Sequence, residues 1–134
     1  MNIDLDDFKI KFINDMALVK VDILAATQRD AKPLWEELER KLIFHRNKVI
    51  IDLSFCNSVD STFIGMIIKI LRRVNEKYGQ MLLVFPNRNV VEVFSLSGID
   101  KIIPCYNTLQ EALDHFGSKT GIHKLRFEGI YSTR

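Results

Sequence analysis

Two adjacent hydroxyl residues follow a carboxylate in the triplet Asp60-Ser61-Thr62, and no other part of the sequence is better suited to regulated chemistry. The triplet follows a hydrophobic run and a polar loop, and it precedes apolar residues at helical spacing. A hydroxyl at the start of a helix lies beside unpaired backbone N–H groups, where the local field favours negative charge. Such a hydroxyl suits a phosphate acceptor or a contact with a partner protein, and it equally suits a plain helix cap.

Other residues capable of catalysis or metal binding are scattered along the chain. His45, His115 and His123 lack metal-ligand spacing to a carboxylate or to one another. Cys56 and Cys105 form no CxxC pair and have no base near them in the sequence, so we expect both to be small buried hydrophobic residues. Because glycine-rich phosphate-binding motifs are also missing, a nucleotide-binding module or enzyme has no support. We expect a protein that is not an enzyme and has no metal site and no cofactor.

Asp52 offers an alternative phosphoacceptor, because it ends a predicted strand as the phosphorylated aspartate of a receiver domain does. A receiver also needs an acidic pair just after its first strand to hold Mg²⁺. Here Asp6 and Asp7 precede the first predicted strand, so the metal site would not assemble. We therefore disfavour the receiver and expect Asp52 to accept hydrogen bonds from backbone N–H groups of the loop.

The composition is that of an ordinary globular protein of 134 residues, with 47% hydrophobic and 27% charged residues. This length predicts one domain with a real core. A net charge of +2 is too small to argue for nucleic acid or an anionic membrane as a partner. No apolar run reaches the roughly 18 residues of a membrane span, and the acidic N-terminal segment does not resemble a signal peptide. We expect a cytoplasmic protein without a membrane span or direct nucleic-acid contact.

Apolar periodicity predicts an α/β fold around a mixed central sheet of four to five strands with about four helices. Alternation at residues 8–12 and 16–23 predicts an opening hairpin, and apolar runs at 48–53 and 80–85 predict buried strands. Residues 101–103 add at best a short edge strand.

Cap and stop residues delimit the four predicted helices. The first begins near Ala31, with Thr27 and Asp30 as candidate caps, and the others span residues 61–78, 89–98 and 108–117. Asn89 is the expected cap of the third helix, and Thr108-x-x-Glu111 is a capping box for the fourth. In the second helix, Phe63, Met66 and Ile70 widen the apolar arc to roughly 200°. That width indicates either additional core or a patch for a partner.

The sequence divides into a domain at residues 1–117 and a C-terminal tail at 118–134. Leu125 and Phe127 alternate with charged residues, which would suit an added strand. Glycines and a polar end would equally suit a disordered tail. We favour partial order against a neighbouring subunit, so a homodimer stays open.

The sequence around the triplet resembles the signature of STAS domains of the bacterial anti-sigma factor antagonist type. In that family a hydrophobic strand ending in Asp-Leu-Ser precedes an Asp-Ser-Ser/Thr-Gly-Leu-Gly turn and an apolar helix. Residues 50–54 match the strand, Asp60-Ser61-Thr62 match the turn, and Ile64-Gly65 match the hydrophobic–glycine pair. The likeness continues through residues 81–84, 90–94, 97–99 and 108–113, so it covers about residues 8–116. Phe63 replaces the family's usual glycine, and we expect it to fill space beside the hydroxyl.

The resemblance implies a STAS-type fold and a switch operated by phosphorylation. It implies Thr62 as the phosphoacceptor, with Ser61 as the alternative. The implied partners are an anti-sigma factor that is also a serine/threonine kinase of the histidine-kinase-like ATPase fold, and a PP2C-type phosphatase. The expected partner-binding residues lie in the turn before the second helix and in the connection before the first: Ala26, Thr27, Asn57, Ser58, Asp60, Ser61, Thr62 and Phe63. The alternative function is a STAS scaffold without a switch, within a signalling or lipid-transport complex.

Overall fold

An antiparallel hairpin and three parallel strands form one mixed sheet in the order β1-β2-β4-β6-β7. The structure, a computed structural model, describes residues 7–85 and 87–120. The elements in chain order are β1 (Phe8–Ile13), β2 (Met16–Val21), β3 (Ala25–Ala26), α1 (Gln28–Arg40), β4 (Lys48–Asp52), β5 (Ser58–Val59), α2 (Ser61–Glu76), β6 (Gln80–Val84), α3 (Arg88–Ser97), β7 (Cys105–Tyr106) and α4 (Leu109–Thr120). The predicted mixed α/β fold is confirmed.

The two faces of the sheet are covered unequally. Val19, Ile51 and Leu83 point to one face, where they pack with residues of α1, α2 and α3 in the larger hydrophobic cluster. Ile50 and Leu82 point to the other face, which α4 covers. This division follows from the period of two along a strand, which sends successive side chains to opposite faces.

The caps of three helices show how far local sequence fixes the helix starts. Thr27 is the N-cap of α1, and Asp30 at the third helical position completes a capping box, so both candidates take part. The capping box of α4 is confirmed, because the Glu111 backbone N–H donates to Thr108 Oγ1 at 3.1 Å and Glu111 Oε1 accepts from the Thr108 N–H at 3.1 Å. The cap of α3 is Asn87 and not Asn89, so that prediction was wrong by two residues.

The predicted edge strand at residues 101–103 is wrong. The chain there forms a 3-10 turn at Ile99–Lys101, because Gly98 takes a left-handed conformation at φ 80° and the Ile103 N–H bonds back to the Ile99 carbonyl. The last strand among residues 7–120 is β7, a few residues later. Helix α4 also continues to Thr120, three residues beyond the expected end. The strand proposed around Leu125 and Phe127 lies outside the described residues.

The wide apolar arc of α2 is core. Phe63 and Ile70 are 0% exposed, and Met66 is 5% exposed. All three belong to the larger cluster that α2 shares with α1 and the sheet. Phe63 and Ile70 are therefore not available as a surface patch, and Met66 reaches the surface only with a small part of its side chain.

Candidate functional site at the paired helix starts

A second, two-stranded sheet sets the starts of α1 and α2 side by side. Strands β3 and β5 pair in parallel, with Ala25 opposite Ser58 and Ala26 opposite Val59. The Asp60 N–H donates to the Ala26 carbonyl at 3.0 Å and extends the pairing by one residue. Each strand is followed almost at once by a helix, so the parallel pairing brings both helix N-termini to the same edge of the molecule.

The Asp60 carboxylate joins these two N-termini. Its Oδ1 accepts a hydrogen bond from the Phe63 backbone N–H in the first turn of α2 at 2.9 Å. Its Oδ2 accepts one from the Gln28 backbone N–H, the first residue of α1, at 2.8 Å. The first N–H groups of a helix have no partner within it, and a carboxylate is a favoured acceptor at this place. One side chain therefore satisfies donors of two helices.

The start of α3 is linked to the same edge. Asn87 Oδ1 accepts from the Asn89 N–H at 2.9 Å, and Asn87 Nδ2 donates to Asn57 Oδ1 at 3.0 Å. Asn57 is itself held by its backbone N–H, which donates to the Leu24 carbonyl at 2.7 Å. Three helix N-termini, each carrying a partial positive charge, are thus held near the loop that leads to α2.

Ser61 and Thr62 occupy the first two positions of α2, and both are exposed. Within residues 7–85 and 87–120, neither hydroxyl makes a hydrogen bond, because the Asp60 carboxylate caps the helix. The interpretation in which a hydroxyl of the triplet is the cap is therefore wrong. An exposed hydroxyl outside the capping network can accept a phosphoryl group without loss of the bonds that hold the two helices.

The residues expected to contact a partner divide into two groups. Asn57, Ser58, Ser61 and Thr62 are exposed, and Thr27 and Asp60 are half-buried. Ala26 and Phe63, which are also among the expected partner-binding residues, are both 0% exposed, so their side chains are closed to solvent. The neighbouring strand and the core cover them.

Phe63 in the place of the family's usual glycine leaves the triplet open. The expectation that its ring fills space beside the hydroxyl is wrong, since the ring lies in the larger cluster with Leu34 and Ile67. Successive residues of a helix point about 100° apart, so the ring turns inward while the Thr62 side chain stays outside.

A groove of about 460 Å³ runs between α1 and α2 and reaches the triplet. Its lining residues are Ala31, Lys32 and Trp35 from α1, and Thr62, Gly65, Met66 and Lys69 from α2. Lys69 Nζ lies 4.7 Å from the centre of the Trp35 ring. Trp35 is the only tryptophan of the chain, and a single aromatic residue at helical spacing would ordinarily be taken for core packing. The spacing of Thr62, Gly65 and Lys69 was the signal in the sequence that could have indicated the groove, since residues three and four positions apart share one side of a helix.

Two buried groups near the loop have structural roles. Asp52 is buried, and its Oδ1 accepts from the Ser54 hydroxyl and, at 2.9 Å, from the Ser54 backbone N–H, as the sequence predicts. Burial raises the pKa of the Cys56 thiol to about 12. Away from the loop, Cys105 in β7 is half-buried and not fully buried as expected, and desolvation raises the pKa of its thiol to about 12 as well. Both thiols are therefore protonated at neutral pH, and a thiolate nucleophile is not available there.

Two classes of site are not found in the part of the chain that the structure describes. No group of three or more histidine, cysteine, aspartate or glutamate residues there could hold a metal ion. Over the same residues, every helix is too short or too polar to cross a bilayer.

The sequence profile of the STAS domain matches residues 14–112. A Thermotoga neapolitana protein named as an anti-sigma factor antagonist is 40% identical over 68 residues, which are 51% of this chain and 60% of that protein. A Thermotoga maritima protein that is also named as an anti-sigma factor antagonist is 37% identical over 73 residues, which are 54% of this chain and 65% of that protein. The matched segments thus span less than two thirds of either relative.

Solved structures with the same fold cover more of the chain. The crystal structure of an anti-sigma factor antagonist from Thermotoga maritima superposes with a TM-score of 0.71 at 29% identity, over 81% of this chain and 92% of that one. The structure of unphosphorylated SpoIIAA, an anti-sigma factor antagonist, superposes with a TM-score of 0.70 at 16% identity. The match covers 83% of this chain and 96% of that one. The structure of the murine anion transporter Slc26a9 superposes with a TM-score of 0.68 at 15% identity, over 81% of this chain and 18% of that one. The last two matches show the fold alone.

Proposed function

Because the chain belongs to the STAS domain family, we propose that it acts as an anti-sigma factor antagonist that is switched by phosphorylation at Thr62. The observation that carries the proposal is the exposed Thr62 hydroxyl on a helix that is already capped by Asp60. The role in the proposed partnership is binding and not catalysis. The names of the relatives from Thermotoga support the same general role.

The partner in this proposal is an anti-sigma factor with serine/threonine kinase activity and the histidine-kinase-like ATPase fold. It binds the surface formed by Thr27, Asn57, Ser58, Ser61 and Thr62, and its sigma factor is released. Transfer of the ATP γ-phosphoryl group to the Thr62 oxygen forms a phosphate ester and ADP, and the hydroxyl proton leaves. A PP2C-type phosphatase hydrolyses the ester and restores the binding form.

Phosphorylation acts through charge at this surface. A phosphate adds about −1.5 to −2 charges at pH 7, next to the Asp60 carboxylate. The N-terminus of α2 tolerates this charge, so the fold survives while the potential of the docking surface changes sign. A penalty of about 3 kcal/mol at the interface lowers affinity by roughly two orders of magnitude, which is enough for a switch.

The test is capture of partners from lysate of the source cell with three baits: the wild type, Thr62→Ala and Thr62→Glu. We expect a kinase-like ATPase on the wild type and on Thr62→Ala, its loss on Thr62→Glu, and phosphate mapped to Thr62. Ser61→Ala and Ser61→Glu are the matched controls, because Ser61 is the adjacent hydroxyl. Phosphate on Ser61, with loss of the ATPase only from Ser61→Glu, would identify Ser61 and not Thr62 as the phosphoacceptor.

The scaffold without a switch is the second candidate, and one observation favours it. The fold also forms part of a much longer chain in the anion transporter Slc26a9, where the match covers 18% of the chain. The wide apolar arc of α2 no longer favours it, since Phe63, Met66 and Ile70 are buried. The same partners on all three baits, with no phosphate on any, would replace the switch with the scaffold.

A further inference from the structure

We propose that the groove between α1 and α2 binds a partner segment in which an acidic side chain lies next to an apolar one. The inference deepens the proposed function, since it names the chemistry that the partner brings to the surface beside Thr62. The occupant is a short stretch of protein chain, not a small metabolite, because the groove is open along two helices and ends at the proposed docking surface.

The floor of the groove supplies the apolar half of the recognition. Trp35 is half-buried, and its ring borders the groove together with Ala31 and Met66. Gly65 leaves the centre open, because a Cβ atom built there would meet no atom within 4 Å. An apolar side chain of a partner can therefore enter against the tryptophan, the kind of residue that most often anchors protein interfaces.

The rim supplies the charged half. Lys32 and Lys69 line the groove from opposite helices, and no carboxylate is among the lining residues. Within the described residues, neither lysine forms a salt bridge, whereas nearby Arg73 lies 3.6 Å from Glu39. Lys69 Nζ is already held over the Trp35 ring. Two ammonium groups without a salt bridge in the described residues, beside an apolar floor, complement a carboxylate next to an apolar side chain.

The groove is continuous with the proposed switch. Thr62, Gly65 and Lys69 lie on one side of α2, and Thr62 and Lys69 are roughly 10 Å apart along the helix axis. An acidic segment held by Lys69 and Lys32 therefore passes near the Thr62 hydroxyl. A phosphate there would repel the segment, and Ser61, which is not among the lining residues, would exert a weaker effect.

Selection from a random dodecapeptide library displayed on phage tests the chemistry of the groove, because it assumes nothing about which protein the partner is. The immobilised wild type should enrich peptides with aspartate or glutamate next to a leucine, isoleucine or aromatic residue. Gly65→Phe fills the groove at an exposed helix position and should enrich none of them, while Asn75→Phe, which places the same ring at an exposed position of α2 outside the groove, is the matched control and should retain them. Thermal unfolding establishes that both variants are folded.

Titration of the most enriched tryptophan-free peptide gives the second readout. Trp35 is the only tryptophan of the chain, so its fluorescence reports occupation of the groove directly. Lys69→Glu and Lys32→Glu should each weaken binding by about tenfold or more, since the charge next to the bound carboxylate is reversed. Lys77→Glu is the matched control and should stay within about twofold, because it lies roughly 22 Å from Thr62 along α2.

Two further variants test whether a negative charge at the proposed switch affects the groove. Thr62→Glu should weaken binding of the peptide by about fivefold or more, and Ser61→Glu should weaken it less. The proposal is overturned by enrichment without an acidic preference, by equal enrichment on Gly65→Phe, by no enrichment at all, or by equal effects of Thr62→Glu and Ser61→Glu. None of these results depends on a kinase or a sigma factor. These results therefore test peptide binding by the groove separately from the proposed function. The proposed function is decided by the capture experiment alone.

Discussion

The buried and exposed sides of α2 have different roles, although their residues are adjacent in the sequence. Phe63 and Ile67 face the larger cluster and are 0% exposed. Thr62 and Lys69 face solvent and line the groove. Because successive helical residues point about 100° apart, a residue that carries stability lies directly beside one proposed to carry regulation. The two sides can therefore be altered separately by substitution.

The Asp60 carboxylate is the point at which the two sides meet. It is half-buried and caps α2, on which both sides depend, and it also holds the start of α1. Substitutions on the buried side should therefore change stability, and those on the exposed side should change binding. Substitutions at Asp60 should change both, because the rim of the groove is formed by the two helices that it joins.

The largest effect is expected for Phe63→Ala. Removal of a fully buried ring leaves a cavity in the larger cluster, and the free energy of unfolding should fall by about 3–5 kcal/mol. Urea denaturation followed by circular dichroism measures it, with Thr62→Ala as the control one residue away. A loss below about 1 kcal/mol would mean that the ring is not packed as described.

Asp60→Ala comes next. It removes the acceptor of two helix-terminal N–H groups, so we expect a loss of about 2 kcal/mol, against about 1 kcal/mol for the single cap removed by Thr27→Ala. Asp60→Asn should fall between wild type and Asp60→Ala, because the amide keeps only one acceptor oxygen. An asparagine variant as stable as the wild type would show that the second hydrogen bond, to Gln28, contributes nothing. Urea titrations of the three variants decide the order.

Gly65→Ala should stabilise the protein. Its Cβ would meet no atom within 4 Å, and alanine restricts the unfolded chain more than glycine does. We expect a gain of about 0.4–1 kcal/mol in the free energy of unfolding. Differential scanning calorimetry of the purified variant measures it, and a lower melting temperature would argue against the open geometry at the centre of the groove.

The smallest change in stability is expected for Thr62→Glu. An exposed substitution outside the capping network should stay within about 0.5 kcal/mol of the wild type, and a negative charge at a helix start is mildly favourable. The same variant should lose its partner in the capture experiment. Chemical denaturation and capture of the same preparation separate the two effects. A loss of stability comparable to that of Asp60→Ala would attribute any binding defect to unfolding of the helix start.

Local signals in the sequence determined most of the elements. The alternation of Phe8 to Phe12, the capping box of Thr108 and Glu111, and the left-handed Gly98 depend on residues close together in the chain. Those signals predicted the central sheet, the four helices and the exposed triplet at residues 60–62. They erred by two residues where two asparagines, Asn87 and Asn89, compete for one cap, since both side chains suit that position.

Tertiary structure alone decided the site. The bond from Gln28 to Asp60 joins residues 32 positions apart, and it exists because β3 pairs with β5, two strands too short to be seen as periodic runs. The groove likewise requires Trp35 of one helix to meet Lys69 of another. The inward turn of Phe63 depends on the same packing, because a wide apolar arc does not say which of its residues the neighbouring helix will cover. Local sequence encodes the secondary structure and its caps, whereas the capping shared by two helices and the charge around the groove arise only when distant segments pack.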